Sequence, residues 1–250
     1  MLKPLSWYKS LHDPKGRREA NAFLIEGTRS ITQISHISPQ SITELVAQEK
    51  EAVPKNLRYP VRVVTPAQFR GISASTTPSG LIAVVTIPNN VYSSRLPENR
   101  GDRVLALEDI QDPGNVGTLI RTAAAFDFSG ILLSEKCADP FGPKAAQASA
   151  GSVLSVWIRK TKGFGPLMAQ LAKEGFFCVA ADIRGKVALH AVGEPKLMLI
   201  MGNEGSGITA HTLGLVHQVV KIPMNEKKAE SLNVAVAGGL CMYVLTARQA

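Results

Sequence analysis

Apolar and polar positions follow two rhythms along the chain: short runs of consecutive apolar residues, and longer stretches with helical spacing. Strand-like runs at 23–25, 42–46, 61–64 and 81–85 are separated by plausible helices, which predicts a small α/β domain. A second series of runs falls at 104–107, 131–133, 156–158, 177–180, 197–201 and 219–222. Helical stretches lie among them at 116–126 and 166–173, and a last helix is expected from about 232 to 248. Alternating β and α units predict a parallel sheet with helices on both faces. Between the two series, 87–101 is rich in turn-forming residues. The expected organisation is a first domain over 1–90, a linker over 91–101 and a second domain over 102–250.

Composition narrows the class. With 250 residues, 45% hydrophobic and 19% charged, the chain has material for one large or two ordinary cores. No apolar run approaches the ~20 residues needed to span a bilayer, and the first twenty residues lack a signal peptide's apolar centre. Cys137, Cys178 and Cys241 are too few and too scattered for a disulfide framework or a metal site, so buried thiols in a reducing cytoplasm are expected. The net charge of +8 is uneven: residues 1–100 carry 13 Lys+Arg against 7 Asp+Glu, residues 101–250 carry 15 against 13. A small basic domain beside a near-neutral one suits nucleic acid as a partner, although a merely basic protein has the same balance.

Three polar elements each follow a run that reads as a buried strand, where open α/β sheets gather their ligands. The first, DPGNVGTLIR over 112–121, opens with a turn, and Asn115 is a candidate cap for the following helix. Arg121 lies two turns in, either an ordinary surface arginine or a clamp for a phosphate. The second, GNEGSG over 202–207, has the spacing G-x-x-G-x-G, which is neither the dinucleotide fingerprint nor a P-loop. Its glycines offer main-chain groups that a flat ligand can approach, and Glu204 reads as a solvated loop carboxylate or an acidic site residue. The third joins Ile222-Pro223-Met224 to Ser231-Leu232-Asn233 at the start of a long apolar helix. Pro223 ends the strand, and both Ser231 and Asn233 are candidate caps.

In order and type these elements resemble the three motifs of the SpoU (TrmH) family of RNA ribose 2′-O-methyltransferases, a branch of the SPOUT superfamily. Residues 10–27 add a K-x-R…F-x-x-E-G pattern (Lys15, Arg17, Phe23, Glu26, Gly27) that resembles the start of the substrate-binding domain found in several family members. The resemblance implies a SPOUT-type sheet with a C-terminal trefoil knot, a homodimer, and S-adenosylmethionine as cofactor. It places the cofactor against Gly202, Asn203, Gly205, Gly207, Ile222, Met224 and Leu232, and the chemistry at Arg121, Asn115, Glu204, Ser231 and Asn233. It assigns RNA contacts to Lys15, Arg17 and Arg18, with no metal and no membrane. One departure stands out: the family's glycine between the Met and Ser of the third motif is missing from 225–230. The implied reaction is 2′-O-methylation of RNA in the cytoplasm, with large-subunit ribosomal RNA favoured. A transfer RNA enzyme and a non-catalytic RNA-binding protein are the alternatives.

Overall fold

The computed structural model describes residues 3–48, 53–189, 194–225 and 227–247. The chain forms two compact units, one of Met1–Asn89 with Asp139–Ser155, the other of Asn90–Ala138 with Val156–Ala250. Membership of 139–155 in the first unit was not expected from the sequence, where that segment lies between two runs of the second domain.

The first unit contains α1 (Leu5–Ser10), α2 (Pro14–Ala20), β1 (Ala22–Glu26), α3 (Thr28–Ile37), β2 (Ile42–Ala47), β3 (Val61–Val63), α4 (Pro66–Ile72) and β4 (Leu81–Thr86). A helix from the inserted segment, α6 (Pro143–Ser149) in chain order, belongs with them. The strands form one sheet in the order β1-β4-β2-β3, with β4 antiparallel to both neighbours. Alternation decides the faces. Val46, Ile82 and Val84 meet Tyr8 and Leu11 near α1 and Phe69 and Ile72 of α4, while α3 and α6 pack against β1. Phe23 of β1 meets Phe141, just before α6, at 5.0 Å between ring centres. A Thr65–Gln68 capping box starts α4, so its first free N–H groups are satisfied.

The second unit contains β5 (Arg103–Leu107), α5 (Pro113–Ala125), β6 (Gly130–Ser134), β7 (Trp157–Thr161), α7 (Phe164–Lys173), β8 (Phe177–Ala181) and β9 (Val187–Ala188). It continues with β10 (Leu197–Met201), α8 (Ala210–Leu213), β11 (Gln218–Lys221) and α9 (Val234–Thr246). The order is β7-β6-β5-β10-β8-β11-β9, and every pairing is parallel. One face, including Val104, Ala106, Leu132, Met198 and Ile200, packs on Phe164, Leu167, Met168 and Leu171 of α7. Residues of opposite parity, such as Leu105, Leu133 and Leu199, are also fully buried, and α9 contacts β10 and α5. Both faces are therefore covered, as continuous apolar strands require. Position 248, the expected end of the last helix, lies outside the described residues. Among the described residues no helix is long and apolar enough to cross a membrane.

Parallel pairing puts all the carboxyl ends along one edge. Leu107 pairs with Met201, so the first two motifs leave neighbouring strands at the same level. The third leaves β11, which pairs with β8, itself beside β10.

Candidate active site

The helix of the first motif is capped by Asp112 rather than Asn115. Asp112 Oδ1 accepts the Asn115 N–H at 2.9 Å, with Pro113 at the first helical position. Asn115, one turn in, keeps its side chain for other work. Its Nδ2 donates to Glu204 Oε1 at 3.0 Å, and its Oδ1 accepts from Asn233 Nδ2 at 3.1 Å. Asn233 in turn caps α9, its Oδ1 accepting from the N–H groups of Ala235 (2.9 Å) and Val236 (3.2 Å). The capping role is thus Asn233's and not Ser231's, because Ser231 precedes the first turn by three residues. The chain of bonds has one direction. An ionised carboxylate only accepts, so it turns the Asn115 amide nitrogen toward itself and the Asn115 oxygen toward Asn233.

Glu204 also accepts the N–H groups of Gln111 and Asp112, each at 3.3 Å. Burial acts to raise its pKa, but the Asn115 amide and these main-chain donors prevail and hold the carboxyl below its ordinary range. One acidic side chain therefore ties the Gly-rich loop to the first motif and, through Asn115, to the third.

Beside this network lies a cavity of about 410 Å³. Its wall includes Gly202, Asn203, Gly205, Gly207, Ile222, Met224 and Leu232, all seven positions that the family resemblance assigns to the cofactor. Glu204 and Ser231 also line it, whereas Asn115, Asn233 and Arg121 do not. The loop doubles back tightly: Asn203 and Gly207 exchange main-chain bonds at 3.1 and 3.0 Å. A Cβ on Gly202 would lie 2.5 Å from the Gly207 and Ile208 main chain, and Gly207 has φ +68°, so side chains are disfavoured at both. Asn203 Oδ1 accepts the N–H groups of Gly205 and Ser206, shaping the turn.

The sequence reading missed the segment after β8. Ala181, Asp182, Ile183 and Arg184 form part of the cavity wall. Asp182 and Arg184 pair through two bonds of 2.7 Å, and Arg184 also donates to the Ile208 carbonyl at 2.8 Å. The Arg184 hydrogen bond holds the Asp182 carboxyl below its usual range. The available signal was an Asp at the carboxyl end of a buried strand. The glycine-free loop after Met224 closes on Asn225, whose carbonyl accepts from Lys228 and Ala229 and whose side chain accepts from Lys227. Position 226 of this loop lies outside the described residues.

Arg121 is exposed on α5 and has no hydrogen-bond or ion-pair partner among the described residues. On α9 an apolar stripe is also open to solvent: Val236, Leu240 and Tyr243 are 54, 43 and 59% exposed.

In the first unit, Arg17 corrects the expectation of an RNA contact. It is 2% exposed, pairs with Asp139 Oδ2 at 2.6 and 3.2 Å, and donates to the Leu11 and His12 carbonyls. Four of its five N–H groups are so used, and a guanidinium this deeply buried is closed to a phosphate. Lys15, with its side chain 86% exposed and 3.8 Å from Glu19, and Arg18 remain at the surface. No group of three or more potential metal ligands occurs among the described residues.

The comparisons with known proteins agree with this geometry. Residues 102–243 match the model of the SpoU rRNA Methylase family, and residues 7–83 match the MRM3-like substrate binding domain. An uncharacterized tRNA/rRNA methyltransferase of Synechocystis is 32% identical over 94% of this chain and 87% of its own. The 23S rRNA (guanosine(2553)-2′-O)-methyltransferase RlmP of Bacillus subtilis is 28% identical over 95% and 94%. The AdoMet-bound rRNA methyltransferase structure from Sinorhizobium meliloti superposes with a TM-score of 0.83 at 25% identity, covering 98% of this chain and 95% of that one. A TrmH-family structure from Porphyromonas gingivalis gives 0.84 at 29% identity, covering 99% of each. A parallel sheet with three interlinked motifs at one edge, together with these matches over nearly the whole chain, makes this protein a member of the SpoU rRNA methylase family.

Proposed function

We propose that this protein transfers the methyl group of S-adenosylmethionine to a ribose 2′-hydroxyl of RNA, and that its RNA is large-subunit ribosomal RNA. The observation that carries the reading is the Glu204–Asn115–Asn233 chain, which binds all three motifs together beside a glycine-walled cavity. The cavity suits the cofactor. Gly202, Gly205 and Gly207 present bare main chain on its wall, which a flat ring can approach, and apolar Ile222, Met224 and Leu232 offer it a dry surface. Bound there, S-adenosylmethionine supplies a methyl group already activated on a sulfonium.

The chain's own task is to align an acceptor oxygen and to favour its loss of a proton. Arg121, exposed on α5 and without a partner among the described residues, is the candidate for the second part. A guanidinium is charged at any working pH, so it orients the 2′-oxygen or the adjacent phosphate and stabilises negative charge as it develops. Ser231 and Asn233 hold the ribose or Arg121 in register, and Asn115 braces the turn from which α5 starts. Lys15 and Arg18 contact phosphates without reading sequence.

The site is completed in a homodimer, and the C-terminal part, folded as a trefoil knot, would hold the cofactor. The open Val236–Leu240–Tyr243 stripe supports a second copy as its cover. Ribosomal RNA is favoured over transfer RNA by the match to RlmP over nearly the whole of both chains. Action on that RNA places the protein in the cytoplasm.

The test is transfer of label from methyl-labelled cofactor to unmodified ribosomal and transfer RNA, followed by digestion to nucleosides. Label in a 2′-O-methylnucleoside of large-subunit RNA is expected. Label on a base overturns the ribose assignment, and label confined to transfer RNA overturns the substrate.

A further inference from the structure

One buried acid takes no part in the mechanism above. Glu108 follows β5 directly, is 7% exposed, and does not line the cavity. Its carboxylate accepts three hydrogen bonds: from the Thr209 N–H at 3.0 Å, Thr209 Oγ1 at 2.8 Å and Thr212 Oγ1 at 2.6 Å. Its own N–H donates to the carbonyl of Met201, the residue before Gly202, at 2.9 Å. These carboxylate partners are neutral donors. Burying a carboxylate is costly, and its cost is contained only while those donors stay in place.

The donors all sit just beyond the Gly-rich loop. Thr209 follows Ile208, whose main-chain nitrogen lies 2.5 Å from where a Gly202 Cβ would stand. Fixing Thr209 therefore fixes Ile208, and with it the return of the loop past Gly207. The other end is held by the next residue along: Asn203 Nδ2 donates to the Asp109 carbonyl at 2.8 Å. Asp109 has φ +56°, a left-handed conformation uncommon for a residue with a side chain. Ser134 keeps it there, its Oγ accepting the Asp109 N–H at 2.8 Å and donating to Oδ1 at 2.5 Å. Adjacent residues at the end of one strand thus clamp both ends of the loop that leaves its neighbour.

We propose that Glu108 is a positioning residue for the cofactor, acting through Thr209 and Thr212 to hold the 202–208 loop in its binding shape. This rests on the methyltransferase reading. The energetic logic is pre-organisation: a loop already in its bound conformation pays less ordering entropy when the ligand arrives.

The experiment measures S-adenosylmethionine affinity by calorimetry, and KM and kcat by methyl transfer, on the full chain. The variants are Glu108→Gln, Thr212→Val and Thr212→Ser. Thr212→Val keeps the shape and removes one donor; Thr212→Ser restores it. The expected result is a Kd and a cofactor KM raised about tenfold in the first two variants. kcat at saturating cofactor should stay within about threefold and melting should stay cooperative, with Thr212→Ser like the wild type. A Kd unchanged in Glu108→Gln and Thr212→Val, or Thr212→Ser behaving as Thr212→Val, overturns the proposal. A wild-type chain that fails to bind the cofactor overturns instead the reading beneath it.

Discussion

The two units carry motifs of similar visibility in the sequence and use them in opposite ways. In the first unit Arg17, Phe23 and Glu26 are consumed by the fold, while Lys15 stays at the surface. Arg17 is spent on Asp139 and two carbonyls, Phe23 packs at a tilt against Phe141, and Glu26 holds the 73–79 turn by accepting from Ser73 Oγ at 2.6 Å and the Ser79 N–H at 2.7 Å. In the second unit one set of patterned residues braces the site, and another stays open. Glu204, Asn115 and Asn233 are bonded to one another, while Arg121 and Ser231 are left exposed. A motif records that residues matter together. Exposure and partnering decide whether they matter to the fold or to a ligand.

Substitutions can break or sharpen this contrast. Arg121→Ala should lower turnover by about a thousandfold, with cofactor affinity within a few-fold and an unchanged melting temperature. Equal loss of cofactor binding would move Arg121 into the bracing set. Arg17→Ala should instead act on stability, since removing one partner of a buried ion pair costs about 3 kcal/mol. Denaturant titration would read that loss, and RNA affinity of the folded protein should hold. A selective loss of RNA binding would return Arg17 to the surface role. Asn115→Ala cuts both links of the amide chain and should lower kcat/KM about tenfold, measured by methyl transfer, with a smaller change in melting.

Smaller effects come last. Lys15→Ala or Arg18→Ala should weaken RNA binding a few-fold and shallow the slope of log affinity against log salt by about 0.7–0.9 per lost contact. Filter binding across a salt series would show it. The pH dependence of the brace follows from the depressed pKa of Glu204. The carboxyl titrates lower in the folded chain than in the unfolded one. Its contribution is therefore complete above the ordinary carboxylate value of about 4.3, and is lost as the pH falls through the depressed folded value. Cofactor affinity should not change through Glu204 between about pH 8 and pH 6. A titration of affinity across that window, compared with Glu204→Gln, checks this.

Much of the fold was legible because strands buried on both faces announce themselves. The run at 197–201 coincides with β10, and the others shift by one to three residues at their ends. The candidate cofactor positions came from the family resemblance, and all seven line one cavity at the edge where the glycine loop and the proline-ended strand leave the sheet. Asn233 caps its helix as expected, whereas the candidates Asn115 and Ser231 do not, for a local reason: Asp112 and Asn233 are equally good caps at nearby positions, and only the fold chooses between them. Arg17 was misread because its acid lies 122 residues away in sequence. Asp182 and Arg184 were passed over because they carry no glycine or proline signature, and Glu108 because its three donors lie about 100 residues downstream.

The segment Asp139–Ser155 gives the protein a schedule of synthesis. The chain crosses between units after residues 89, 138 and 155, so the first unit is incomplete when position 89 leaves the ribosome. Asp139 comes 50 positions later, about 3–10 s at ordinary elongation rates. Until then Arg17 lacks its counter-ion and Phe23 its ring partner. The nascent domain must wait without its last segment while the first strands of the second unit emerge. A fragment ending at residue 89 should accordingly be unstable, and supplying 139–155 on a short linker should rescue it.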